Sequence, residues 1–148
     1  MTEAEPDLIP TGRILPVVGT AFDLGGPRLL SGGGLCQKPD PNFVLARTGQ
    51  NRLQPTARLT TAVSGLSLPV LATKPGLQVY GGHLLDVPVP GLNGQDYGAH
   101  AGLCQEPQFF PDNPNLPGLP SALLRVGQIY DHATEYVFEH SAAAKLCA

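Results

Sequence analysis

The run GLCQEPQFFPDNPNLPG, residues 102–118, sets one carboxylate, Glu106, in a mostly apolar segment that breaks into a proline-rich loop holding Asp112, Asn113 and Asn115. A lone acid between Cys104 and Phe109 is costly to bury unless it is paired, hydrogen-bonded or used. On an extended strand, period two puts Cys104, Glu106 and Gln108 on one face, with Pro107 interrupting the ladder between the last two. A carboxylate and an amide side by side can hydrogen-bond adjacent hydroxyls in pairs, as a sugar presents them. A carboxylate placed there can also serve as a general base. A solvated strand glutamate followed by a turn fits the same spacing, and spacing alone leaves both readings open.

Other chemistry-bearing groupings are weaker. His100 and Cys104 stand four apart, a helical ligand spacing in a segment that reads as strand, and no second ligand pair follows, so no metal site is expected. Gly32-Gly33-Gly34 lacks the GK[ST] or GxGxxG context of a phosphate loop and reads as a turn. Ser64-Gly65 lacks the preceding Gly-x of a nucleophile elbow.

The elements that must position Glu106 are strands. Helical periodicity is nearly absent, and segments bounded by Gly, Pro or Asn recur instead. Strands are expected near 14–19, 42–47, 56–63, 68–73, 77–81, 101–109, 121–126 and 129–139. In the last of these, Thr134, Tyr136 and Phe138 share one face, opposite Glu135, Val137 and Glu139. Only the tail SAAAKLCA has helical character, and it is too short to hold a helix alone. Residues 25–41 and 86–98 are Gly/Pro-rich loops, and 111–120, with four prolines, is an irregular connection. The fold class is all-β, an antiparallel β-sandwich. With 148 residues, no internal repeat and no composition break, 1–148 is expected to form a single domain.

Composition narrows the function classes. There are 18 glycines and 16 prolines, nearly a quarter of the chain, and only 14% charged residues, so short segments joined by many turns fit better than disorder. A formal charge of −3 with scattered Lys and Arg gives no footprint for nucleic acid. No apolar run approaches the roughly 20 residues of a membrane span, so no membrane partner is expected. The odd count of three cysteines argues against a disulfide framework. The opening MTEAEPDLIPTGR is acidic, with no apolar leader. A cytoplasmic protein with free thiols is the expectation.

Four stretches together resemble the C-terminal half of the aldose 1-epimerases, the galactose mutarotase family. They are LIPTGRILPVVGTAFDL (8–24), DPNFVLAR (40–47), PGLQVYGGHLLD (75–86) and GQDYGAHAGLCQEPQFFPDNPNLPGLPSALLRVGQIYDHATEYVF (94–138). The pattern ExQ-x-FPDxPNxP carries most of the specificity. The resemblance implies a large antiparallel β-sandwich that interconverts the α and β anomers of free aldohexoses such as galactose and glucose. It places Glu106 as the general base that takes the proton from the anomeric hydroxyl, as a partly buried carboxylate. A histidine donates to the ring oxygen, the ring opens, and the aldehyde rotates before closing on its other face. No cofactor or metal is implied. Asp40 matches a sugar-binding aspartate, although an Asx-type turn at Asp-Pro would look the same, and Gln108 is expected to bind substrate beside Glu106.

The sequence also departs from the family. The histidine between the matching Asp and Asn is Pro41 here, and the frequent YTGN reads Tyr80-Gly81-Gly82-His83. The Asn-His-x-Tyr-Phe-Asn-Leu context of the general acid is absent from these 148 residues. His83 reads as a loop histidine, and His100, His132 and His140 as structural or solvent-facing. The expectation is a C-terminal-half homologue, truncated or one half of a split enzyme. Such a chain would be weak or inactive alone, and would pair with itself or with an N-terminal-half partner chain. A non-catalytic carbohydrate-binding or regulatory fragment, and a degenerate chain without folded function, are the alternatives.

Overall fold

The computed structural model describes residues 1–30, 40–46 and 52–140. Nine strands run through them: β1 (Thr2–Ala4), β2 (Pro10–Ile14), β3 (Asn42–Val44), β4 (Gln54–Thr60), β5 (Leu66–Ala72), β6 (Gly76–Tyr80), β7 (Cys104–Gln108), β8 (Thr134–Tyr136) and β9 (Glu139–His140). All pairings are antiparallel. They build a β1-β2 hairpin, a three-stranded sheet in the order β3-β6-β7, and a second sheet in the order β4-β5-β8 with β9 also on β5. Among the described residues the only helical pieces are 3-10 turns at Leu92–Gly94 and Asn113–Asn115.

Strand β6 shows why the chain folds this way. In GLQVY the apolar Leu77 and Val79 point one way, and Gly76, Gln78 and Tyr80 the other. Leu77 and Val79 are buried, packed with Phe22, Leu30, Phe43, Leu45, Leu103 and, from β4, Ala57. That contact sets the apolar face of the three-stranded sheet against the second sheet, whose Val70 and Ala72 are fully buried. The Tyr136 hydroxyl of β8 donates across the gap to the Gln105 carbonyl of β7 at 2.9 Å. The result is the antiparallel β-sandwich, with the polar face of β3-β6-β7 turned away from the core.

Two expected strands do not form. At 14–19, strand β2 ends at Ile14, Pro16 cannot donate to a ladder, and Thr20 N closes a turn onto Val17 O at 3.0 Å. At 121–126 every residue is exposed, because local groups take the backbone donors. Ala122 N donates to Asn113 Oδ1 at 2.5 Å and Arg125 N to Gln128 Oε1 at 2.7 Å. The apolar residues of that run were a strand signal without a strand to pair with. The 129–139 expectation shrinks to β8 and β9, and 42–47 to β3; the helical tail and residue 47 lie outside the described residues. A hairpin at the N-terminus was not anticipated. It is held by Glu3, whose carboxylate accepts from Arg13 at 2.5 and 2.6 Å and from Thr11 at 2.6 Å. Those bonds, Arg13's first, hold the Glu3 carboxyl below its ordinary range.

Candidate functional site

Register builds the site. Asn42 of β3 pairs with Gln78 of β6, and Gln78 with Glu106 of β7, so three polar side chains line up across the outward face. One step along, Val44, Gly76 and Gln108 form the next row, and on the other side Tyr80 faces Cys104. Cys104, Glu106 and Gln108 therefore share a face, as their spacing requires.

Gln78 ties the group together. Its Nε2 donates to the Asp40 carbonyl at 2.6 Å, and its Oε1 accepts from Gln108 Nε2 at 3.3 Å. Gln78 was not singled out from sequence, although it is the one polar side chain between Leu77 and Val79. Asp40 sits with φ of 39°, in the left-handed region, which aspartate enters more readily than most side chains. Its Oδ1 is buried and without a hydrogen-bond partner. Asn42 is 3% exposed, and both its amide atoms also lack partners. A cleft of about 410 Å3, within the usual size of ligand pockets, opens over Asp40, Asn42 and Gln78, with Met1, Thr2 and Phe22 among its other walls; Glu106 and Gln108 are not among them.

Two glycines are required here. A Cβ on Gly76 would stand 3.0 Å from Asn42 Oδ1 and 3.2 Å from both the Gln108 carbonyl and the Phe110 ring. Gly82 has φ of 68°, and a Cβ there would meet the Gly102 carbonyl at 2.7 Å.

Glu106 is exposed rather than partly buried, because β7 is an outer strand of its sheet among the described residues. No described residue hydrogen-bonds its carboxylate, so both oxygens are available to hydroxyls. The loop that follows is built by its own polar residues. Asn113 is buried, and its amide bridges Pro120 O and Ala122 N. Asn115 Nδ2 donates to Asp112 Oδ1 at 2.5 Å. These groups shape the loop and are not directed at the row.

The histidines lie elsewhere. His83 follows β6 with its ring edge-on to Tyr80 at 5.3 Å and its Nδ1 buried without a partner. His100 hydrogen-bonds the Gly81 carbonyl through Nδ1 at 2.9 Å. His140 is exposed on β9. His132 shares a hydrogen bond with Thr73 Oγ1 at 3.0 Å and packs edge-on to Phe109 and Tyr130. Beside it, Lys74 is only 8% exposed. Its ammonium donates to the Tyr130 hydroxyl at 2.7 Å and sits 4.2 Å and 4.5 Å from the centres of the Phe109 and Tyr130 rings. Burial, then the Lys74 charge, pulls the His132 imidazole below its ordinary value.

An antiparallel sandwich that sets amides and a carboxylate in register on one sheet face is a scaffold suited to ligands rich in hydroxyls. Comparison makes this specific. The sequence profile of the aldose 1-epimerase family matches residues 1–137, and the chain belongs to that family. It is 45% identical over 136 residues to galactose mutarotase of Mus musculus and 44% identical to that of Homo sapiens, in each case over 88% of this chain and 39% of the relative. It is 31% identical to an aldose 1-epimerase of Haemophilus influenzae, over 88% of this chain and 40% of that one. The crystal structure of the GalM/aldose epimerase homologue from C. elegans superposes with a TM-score of 0.81 at 28% identity, covering 94% of this chain and 42% of that one. The chain thus spans about two-fifths of the length of the relatives it matches.

Proposed function

We propose that residues 1–148 act as one unit carrying the general-base side of a mutarotase site, interconverting the anomers of free aldohexoses such as galactose and glucose in the cytoplasm. The observation that carries this reading is the Asn42–Gln78–Glu106 row, flanked by Asp40 and Gln108, in a chain of the aldose 1-epimerase family. In the forward step the Glu106 carboxylate takes the proton of the C1 hydroxyl. A donor then protonates the ring oxygen as the C1–O5 bond breaks. The C1–C2 bond of the open aldehyde turns, and re-closure on the other face forms the C1–O5 bond anew, with the O5 proton returning to the donor and the Glu106 proton to the C1 oxygen. Asp40 and Gln108 hold other hydroxyls of the sugar meanwhile. These are proton transfers that call for no cofactor.

The ring-oxygen donor is the weak point of the chain alone. No described contact links His83 or any other histidine to Glu106, and loss of a general acid costs about 10²–10⁴-fold in rate. The donor is supplied by more polypeptide of the same fold, either a second copy or an N-terminal-half partner chain, and the chain by itself turns over slowly. A non-catalytic carbohydrate-binding role is the second reading. The exposure of Glu106 favours it, since the amides are linked to one another while the carboxylate stands apart.

Polarimetry on fresh α-D-galactose, with wild type and Glu106→Gln compared, tests both. A Glu106-dependent rate above the spontaneous one supports catalysis. Equal rates with retained sugar binding support the binding role, because an amide still hydrogen-bonds hydroxyls. Neither rate nor binding would sink both readings.

A further inference from the structure

Asn42 has no role in the mechanism above, yet it is the most anomalous polar group in the described structure. It is 3% exposed, and neither its Nδ2 nor its Oδ1 has a hydrogen-bond partner. Buried polar side chains are ordinarily satisfied, and each exception calls for a reason. Its surroundings are arranged to keep it. Gly76 leaves the space its carboxamide occupies, since a Cβ there would stand 3.0 Å from Oδ1. Its backbone is fixed to β6 by register with Gln78, and its carbonyl accepts from the Thr2 hydroxyl at 3.5 Å. An apolar residue of similar size would fill the slot at lower cost, so stability alone does not explain an asparagine. The residue lines the 410 Å3 cleft together with Gln78 and Asp40, whose own Oδ1 is a second buried oxygen without a partner.

We propose that Asn42 is a sugar-contacting residue, whose amide donates to one hydroxyl and accepts from the next on an aldohexose seated in this cleft. This rests on the mutarotase reading and extends it. The two amide atoms are sealed in the present structure. Seating a hydroxyl on them takes a shift of the cleft wall over the carboxamide together with its turning about Cβ–Cγ, a torsion with a broad energy profile. A paired donor and acceptor also selects for adjacent hydroxyls over isolated ones, which makes Asn42 a specificity determinant as well as an anchor.

The test is double-signed. Asn42→Leu removes an unsatisfied amide while keeping the volume, so it melts at or above the wild-type temperature, yet it loses at least tenfold in galactose affinity. Affinity is read by saturation-transfer NMR on D-galactose, with sorbitol at equal concentration as the control in parallel melts. Asn42→Ser, smaller and still polar, is the second variant in case the leucine protein does not fold, and it too binds at least tenfold more weakly. A leucine variant that melts lower and binds galactose as wild type does would show a purely structural amide and overturn the proposal. So would a serine variant with unchanged affinity. If wild type itself shows no saturation transfer, the sugar-site reading fails, and this proposal with it; a galactose affinity unchanged in both variants overturns the Asn42 proposal alone.

Discussion

At the level of single residues, the site depends on one position without a side chain. Gly76 lies between Val44 and Gln108 in register and under the Asn42 amide and the Phe110 ring. Gly76→Ala must therefore displace backbone or aromatic neighbours, and a loss of about 1–3 kcal/mol is expected in a urea melt. A smaller loss would mean that Asn42 yields easily. His132 gives a pH signature. Its folded-state value is depressed by burial and by Lys74, so the unfolded chain binds the proton first as pH falls. Stability then declines as pH drops below about 6.5. His132→Gln should flatten part of that decline between pH 7 and 5, and an unaltered slope in thermal melts would show that other groups carry it. Glu106 and Gln108 stood out in the sequence by type and spacing, which are local signals, whereas Asp40 stood out only through the family resemblance. The sequence could not show that Gln78 links Asp40 to Gln108, or that Asn42 lacks a partner. Both facts depend on strands that lie far apart in the chain, Asn42 meeting Gln78 and Gln78 meeting Glu106.

At the level of elements, strands with an apolar alternation were legible. β4, β5, β6 and β7 fall within a residue or two of the expectation at one end or both. The failures at 14–19 and 121–126 share a cause, since an apolar run becomes a strand only when a neighbour accepts its backbone groups, and Pro16 and Asn113 removed that chance. Asn113 is thus the keystone of the loop after Phe110. Asn113→Ala would leave Pro120 O and Ala122 N unanswered and cost about 2 kcal/mol, with the loop's amide exchange rising alongside. Lys74 does similar work at the other end. The β5–β6 connection clasps Phe109, next to the site strand, and Tyr130, at the end of the exposed 121–130 run. Lys74→Met keeps most of the packing but loses the hydroxyl bond and both cation–π contacts. Faster limited proteolysis within 121–130 is expected, and an unchanged cleavage rate would deny the clasp any restraining role.

At the level of the whole molecule, the described surface carries many exposed large apolar side chains. Leu123, Val126, Ile129 and Phe138 are all largely uncovered, in a chain that spans about two-fifths of its relatives. Where such side chains lie together they mark surfaces that pack against other polypeptide. Light scattering should show concentration-dependent association, and Val126→Ser with Ile129→Ser should reduce it without changing the circular dichroism; association that persists would move the contact to another face. Finally, Glu106 lies on the strand that is outermost in its sheet among the described residues, with an edge interrupted by Pro107 and by the Tyr136 hydroxyl on the Gln105 carbonyl. Whichever strand docks beside β7 both extends the sheet and becomes the neighbour of the carboxylate. With Glu106 as the base of the proposed reaction, completing the sheet and arming that base would be a single event, so output would scale with the number of assembled pairs, a titration by stoichiometry rather than a response graded by a small effector's concentration.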